Sequence, residues 1–147
     1  MTTIETSRTV ATNAPALFET ISTPERYAEI VPQIDRIEML GDLHSGVGTR
    51  FCETRTMKGK HATVELVVTR YDPPRLLTIE SDSGGILWIS DFTVEPQGGD
   101  ASHLHLTMEC RPKGIAGRLM LPLIKGMVTQ GLNDDMDAIL NHFQSQS

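Results

Sequence analysis

The sequence predicts an α+β fold, and three observations predict it. The run from Lys113 to Phe143 is the one stretch long and apolar enough for a major helix. Before it come about seven short stretches of alternating apolar and polar residues, separated by turns rich in glycine and proline. Two short helix signals stand in tandem after the first of these strands. Helices segregated from a meander of strands imply a curved antiparallel sheet, apolar on one face, with the long helix as its cover.

Bulk properties narrow the function. Charged residues make up 22% of the 147 and apolar residues 39%, a globular rather than a disordered balance. The length predicts a single domain over residues 1–147, large enough for a sizeable core. A net charge of −6, with no stripe of Lys and Arg, argues against nucleic acid as a partner. Cys52 and Cys110 lack Cys-x-x-Cys spacing, which disfavours a disulfide framework or a structural zinc site. They read as buried thiols in a reducing compartment. Met1 to Arg8 is polar, unlike a signal peptide, and no apolar run approaches the ~20 residues of a membrane span. A cytoplasmic location is the expectation.

Ile4 to Val10 alternates and is rich in threonine, as a strand should be. Asn13-Ala14-Pro15 opens a helix, with Asn13 as N-cap, and Leu17, Phe18 and Ile21 form its apolar face. Thr23-Pro24-Glu25 repeats the signal: a capping hydroxyl, a proline, then an acid in the first turn. Tyr27, Ile30 and Val31 face inward there, and Pro32 stops the helix. Further strands are predicted at Ile34–Leu40, Thr49–Met57, Ala62–Tyr71, Leu76–Ser81, Leu87–Val94 and Leu104–Cys110, with short loops that favour antiparallel hairpins.

The charges inside this pattern bear on function. Glu53 and Arg55 share a strand face with Phe51 and Met57. A two-residue turn at Lys58-Gly59-Lys60 sets Arg55 opposite Ala62, on the apolar side of the next strand. A three-residue turn sets it opposite Thr63, in an exposed network with Glu65. The second register is favoured, because unpaired charges on an apolar wall cost several kcal/mol, roughly. The first would place Arg55 where it anchors an acidic or carbonyl group of a ligand. Asp134, Asp135 and Asp137 read as a solvated helix face. His103 and His105 share a strand face at metal-binding spacing. Leu104, Leu106, Met108 and Cys110 hold the apolar face, so those histidines point to solvent and no metal or cofactor is called for. None of His44, His61, His103, His105 and His142 sits in a nucleophile context, so no catalytic residue is assigned.

Taken in order, several short motifs carry a resemblance. They are Pro24-Glu25-Arg26-Tyr27 leading to Val31-Pro32, the glycine turn before Gly48-Thr49-Arg50, Gly59, and Asp72-Pro73-Pro74-Arg75. Trp88 four residues before Phe92, and Pro112-Lys113-Gly114 opening the last helix, complete the set. From Ile4 to Phe143 the chain resembles the START-like, or SRPBCC, superfamily. The subgroup is that of polyketide cyclase/dehydrase and lipid-transport proteins, and the fold is the helix-grip (Bet v 1/START-like) fold. The resemblance implies a cavity between sheet and last helix that takes an apolar or aromatic small molecule. Trp88, Ser90 and Phe92 share a strand face assigned inward, with the indole offering stacking area and one donor. The expected lining is Trp88, Ser90, Phe92, Leu66, Val68, Met108, Leu119, Leu123 and Met127, with Arg55 in the first register.

A helical wheel divides the last helix. Leu132, Met136, Ile139, Leu140 and Phe143 share one face, while Ile115, Ala116, Leu119, Leu123 and Met127 share a nearly opposite one. Pro122 predicts a break or kink between them. The stretch from Gly114 to Val128, apolar and basic, reads as a mobile gate that meets a membrane or a partner, with a homodimer interface or a second internal contact as the alternative, favoured over the membrane. The leading function is binding or carriage of a lipid- or polyketide-like molecule. The alternatives are a polyketide cyclase/aromatase-type enzyme and, from Tyr27-x-x-Ile30-Val31-Pro32, a quinone- or isoprenoid-binding protein.

Overall fold

The computed structural model describes residues 2–145. Strand β1 (Thr2–Val10) leads into helices α1 (Ala14–Ser22) and α2 (Pro24–Ile30). Then come β2 (Ile34–Leu40), β3 (Arg50–Met57), β4 (Lys60–Asp72), β5 (Leu76–Ser83), β6 (Ile86–Pro96) and β7 (Ser102–Pro112). Helix α3 (Ile115–Gln144) closes the chain. The seven strands form one sheet in the order β1-β7-β6-β5-β4-β3-β2, antiparallel throughout.

That order explains the tandem helices. β1 and β2 are consecutive in sequence yet lie at opposite edges of the sheet. Six inter-strand spacings of about 4.8 Å separate them, and α1 and α2 carry the chain across. Asn13 caps α1 as expected, its side chain accepting from the Ala16 N–H at 2.9 Å. Thr23 precedes α2 without a side-chain cap bond, so there the proline at the helix start carries the signal alone. Register shifts at Ile34/Arg36 and Val68/Arg70 interrupt the ladders and bend the sheet.

The β3–β4 hairpin corrects the favoured register. Met57 pairs with Lys60, so the loop is the two residues Lys58 and Gly59, with φ of 52° and 79°. Both central residues are left-handed, the geometry whose twist matches a hairpin. Arg55 therefore lies opposite Ala62 and Glu53 opposite Val64, on the inner face. Glu65 faces outward and pairs with Arg50.

Helix α3 is one continuous element of 30 residues that runs through Pro122 without a break. Its buried seam is Gly117, Leu121, Gly131, Asp135, Met136, Ile139 and Phe143, with Ile124, Val128 and Leu132 half-buried along it. The spacing alternates three and four residues, the pattern of a helix laid on a surface. Two apolar clusters result. One joins α1, the C-terminal half of α3 and the inner faces of β5–β7, around Leu17, Leu77, Leu104, Met136 and Ile139. The other joins Ile4, Ile86, Cys110 and Leu121 under the N-terminal half of the helix. His103 and His105 are half-buried on β7, while Leu104 and Leu106 between and beyond them are buried.

Gly117 makes the second cluster possible. A Cβ there would sit 2.3 Å from the Gly85 carbonyl oxygen in the β5–β6 turn, a backbone atom that cannot step aside. Gly117→Ala should lose about 1–3 kcal/mol of stability through overpacking. Gly126→Ala, where a Cβ meets nothing within 4 Å, should instead gain up to about 1 kcal/mol from helix propensity. Urea unfolding of the two variants checks the pair.

Candidate functional site

Sheet and helix enclose a cavity of about 430 Å³ between the two apolar clusters. Strands β2 to β7 supply one wall, α3 the other, and α1 and α2 close one side. Strand alternation selects which side chains face in. Phe51, Leu66, Ser81 and Trp88 lie in one inner row across β3 to β6. Val68, Ile79, Ser90 and Met108 form the next across β4 to β7. Of the lining residues, Ala62 and Met127 are the exposed ones, so the mouth opens between the β3–β4 hairpin and the middle of α3.

One charged cluster stands in this apolar surround. Arg55 donates from both terminal nitrogens to Asp135, Nη1 to Oδ1 at 2.8 Å and Nη2 to Oδ2 at 2.7 Å. Its Nε donates to Glu53 Oε1. The Tyr27 hydroxyl donates to Asp135 Oδ2 at 2.9 Å. Asp135 is 2% exposed and Glu53 8%. Strand β3, helix α2 and helix α3 thus meet at one carboxylate. Burial, and then the Asp135 charge, hold the Tyr27 phenol well above its ordinary pKa of 10.0. For Arg55, burial works against the cation, but the hydrogen bonds and charge of Asp135 outweigh it and Glu53 adds to them. The net direction is upward, so the guanidinium stays charged.

The cluster has unused capacity. Three of the five Arg55 N–H donors are taken, leaving two. Glu53 Oε2 has no protein partner among the described residues. Counted formally, two carboxylates against one guanidinium leave an excess negative charge. Farther along the wall, Ser81 is buried with its hydroxyl unpartnered among the described residues. The Trp88 indole N–H donates to the Ser83 carbonyl at 3.1 Å, so the ring offers its face, not its donor, to the cavity.

Of the residues expected to line the cavity, Trp88, Ser90, Phe92, Leu66, Val68, Met108, Met127 and Arg55 do so. Leu119 and Leu123 lie outside it, exposed at 69% and 80%, because the continuous helix turns that stripe away from the sheet. Sequence reasoning put Asp135 on a solvated face and Glu53 and Arg55 in an exposed network; the structure joins all three inside. Tyr27, placed by the sequence on an apolar face and in the family-like motifs but given no polar role, supplies the hydroxyl. One sequence signal was available: Asp135 falls four residues after Gly131 and four before Ile139, on the apolar seam itself.

Residues 1–144 match the family described as polyketide cyclase / dehydrase and lipid transport, and the chain belongs to that family. Its fold is the helix-grip fold of Bet v 1-like proteins. The aromatase/cyclase Zhui from Streptomyces sp. R1128 superposes with a TM-score of 0.81 at 16% identity, covering 97% of this chain and 93% of that one. Ara h 8.0201 gives 0.79 at 19%, covering 98% of each chain. Norcoclaurine synthase from Thalictrum flavum, in complex with dopamine and hydroxybenzaldehyde, gives 0.76 at 18%, covering 99% and 88%. Comparison with curated protein sequences finds no match.

Two predictions rest on the cluster. Asp135→Asn removes the charge that compensates Arg55 and should lose about 3–5 kcal/mol, the usual penalty of breaking a buried pair. Asp134→Asn, at a half-buried neighbour held by Gln33 and Gln130, should lose under about 1 kcal/mol. Urea denaturation separates the two. The second concerns pH. The folded phenol of Tyr27 keeps its proton where an unfolded one, at 10.0, has lost it. Below that pH both states are protonated and the group adds no pH dependence. Above it the unfolded state ionises first and stability falls. Tyr27→Phe should lose about 1.5–3 kcal/mol at neutral pH with the hydrogen bond to the carboxylate. That deficit should shrink as pH rises above 10.0, as unfolding free energies on both sides of that value would register.

Proposed function

We propose that the protein binds a predominantly apolar, aromatic or lipid-like molecule that carries a neutral oxygen function. The observation behind this reading is the Glu53–Arg55–Asp135–Tyr27 cluster set in an otherwise apolar cavity. An apolar wall gives affinity without orientation, and one polar group supplies the orientation. The free Arg55 donors suit a carbonyl, and the free Glu53 oxygen suits a hydroxyl. The excess negative charge disfavours a carboxylate or phosphate, which modifies the expectation that Arg55 anchors an acidic group. Family membership supports the class of ligand, and a quinone satisfies the same chemistry as an aromatic ketone.

A second reading follows from the pairing of Glu53 with Arg55. A base beside a cation is what enolisation of a ketone requires. Glu53 would take the α-proton while Arg55 stabilises the enolate oxygen. In a poly-ketone the enolate carbon would then attack a second carbonyl and form a ring bond. The new alkoxide would recover the proton from Glu53, and loss of water would follow. This is chemistry of the cyclase/aromatase type.

Trp88 is the single tryptophan and lines the cavity, so its fluorescence reports occupancy. 2-Acetylnaphthalene should bind about tenfold more tightly than naphthalene, one charge-assisted hydrogen bond apart. It should also bind more tightly than 2-naphthoate. Glu53→Gln, which keeps the Arg55–Asp135 pair, should narrow the gap between ketone and carboxylate. Preference for the carboxylate in the native protein would sink the reading. Exchange of the ketone's methyl protons in D₂O, followed by NMR, separates the two activities. A carrier leaves the rate at its buffer value; an enolising enzyme raises it, and Glu53→Gln abolishes the rise.

A further inference from the structure

The N-terminal half of α3 has a second apolar face that none of the described residues covers. Ile115, Leu119 and Leu123 are 78%, 69% and 80% exposed, with Met120 and Met127 beside them. Steps of four residues line them up in a stripe about 18 Å long on a helix about 10 Å wide. The surroundings are basic. From Lys113 to Leu132 there is no acid, in a chain whose net charge is −6. Lys113 pairs with Asp82, whereas Arg118 and Lys125 are exposed and without an ion-pair partner among the described residues.

The stripe also runs into the cavity mouth. Met127 belongs to both, being an exposed residue of the lining. Across the mouth stands the β3–β4 hairpin, whose tip carries Lys58 and Lys60, both exposed and without an ion-pair partner among the described residues. Met57 reaches the helix at Gly131, where a Cβ would lie 2.9 Å from its Cε, so the hairpin sits beside the middle of α3.

We propose that this face docks on an anionic lipid bilayer. The stripe enters to headgroup depth while Arg118, Lys125 and the hairpin lysines meet the anionic groups around it. Charge complementarity selects that partner, and the remaining, net acidic surface is repelled, which fixes the orientation. A second copy fits less well. A stripe of about 200 Å² falls short of the ~800 Å² per partner of a stable interface. A two-fold contact would also bring the same cations together. Among the described residues no helix is long and apolar enough to cross a membrane, and the contact proposed is peripheral. Docking sets the mouth against the bilayer. The docking stands on the surface alone; passage of a ligand between bilayer and cavity rests on the binding reading above.

Co-sedimentation tests it, using phosphatidylcholine vesicles with and without phosphatidylglycerol at low salt. The protein should pellet with the anionic vesicles only. Each cation near such a surface is worth about fivefold in partitioning, so Arg118→Gln with Lys125→Gln should lose about 25-fold. Leu119→Glu with Leu123→Glu should abolish pelleting. Since these side chains are exposed, circular dichroism and thermal unfolding should match the native protein. Absence of binding to anionic vesicles overturns the proposal, as does full retention in the Leu119/Leu123 variant. A dimer in sedimentation equilibrium that this variant dissolves, with no vesicle binding, overturns it in favour of self-association. The Trp88 titration with 2-acetylnaphthalene, run on the same variant, should be unchanged. Vesicle binding with no ketone binding in the native protein upholds the docking and refutes the binding reading instead.

Discussion

The two-pronged contact between Arg55 and Asp135 is the interaction on which the arrangement of helix and sheet depends. Helix α3 approaches the sheet most closely at β1. A polar seam fixes it there: Arg8 Nε donates to Asp137 at 2.8 Å and the Thr6 hydroxyl to Asn133 at 2.7 Å. On the side of β3 and β4 the curved sheet and the helix enclose a cavity instead. A cavity has no packed side chains to hold its walls in register. The long arm of Arg55 spans the gap, and Tyr27 secures the same carboxylate from α2. A buried ion pair is close to break-even against an apolar replacement of similar volume. Its advantage here is reach: it joins two walls without filling the space between them.

That solution determines what the space suits. Each carboxylate that helps neutralise Arg55 also reduces the attraction of the site for an anion. The donors and the acceptor left over support the proposed preference for a neutral oxygen. The other polar groups of the wall point the same way, since Ser81 and Ser90 are uncharged and the Trp88 N–H is already bonded. Glycine is the necessary counterpart at two points of the seam. Gly117 lets the helix touch the β5–β6 turn, and Gly131 leaves room for Met57.

The strands and short helices were legible in the sequence because each rests on local chemistry: alternation, the Asn13 cap, prolines at helix starts, glycine turns. The site was not, and its misreadings share one cause. Arg55 was turned outward because a lone cation on an apolar wall is costly. Asp135 was turned outward because a lone acid on an apolar seam is costly. Each argument is sound for an isolated residue and fails for a pair 80 positions apart in sequence. The hairpin hid the same fact, since Lys58 occupies a left-handed position that Asn or Gly fills more readily. Pro122 misled in another way. It removes one N–H from the ladder, yet the helix continues because its flanks are held at Gly117, Leu121 and Ile124.

A helix apolar on one face has one partner; α3 is apolar on two. The seam packs on the sheet around Leu121 at one end and around Met136 and Ile139 at the other, and between them it lines the cavity. The second face ends abruptly. It runs from Ile115 to Met127 and gives way to Gln130, Asn133, Asp134 and Asp137 along the rest of the helix. Folding accounts for the first face and for the polar half of the second, but not for large apolar side chains left in water along one stretch. That stretch is also where acids are absent, where the cavity opens and where Gly117, Gly126 and Pro122 weaken intrinsic helix propensity. The exposed apolar side chains and the weak helix formers add nothing to the stability of the isolated chain. Their coincidence at the mouth of the cavity is what the proposed docking accounts for.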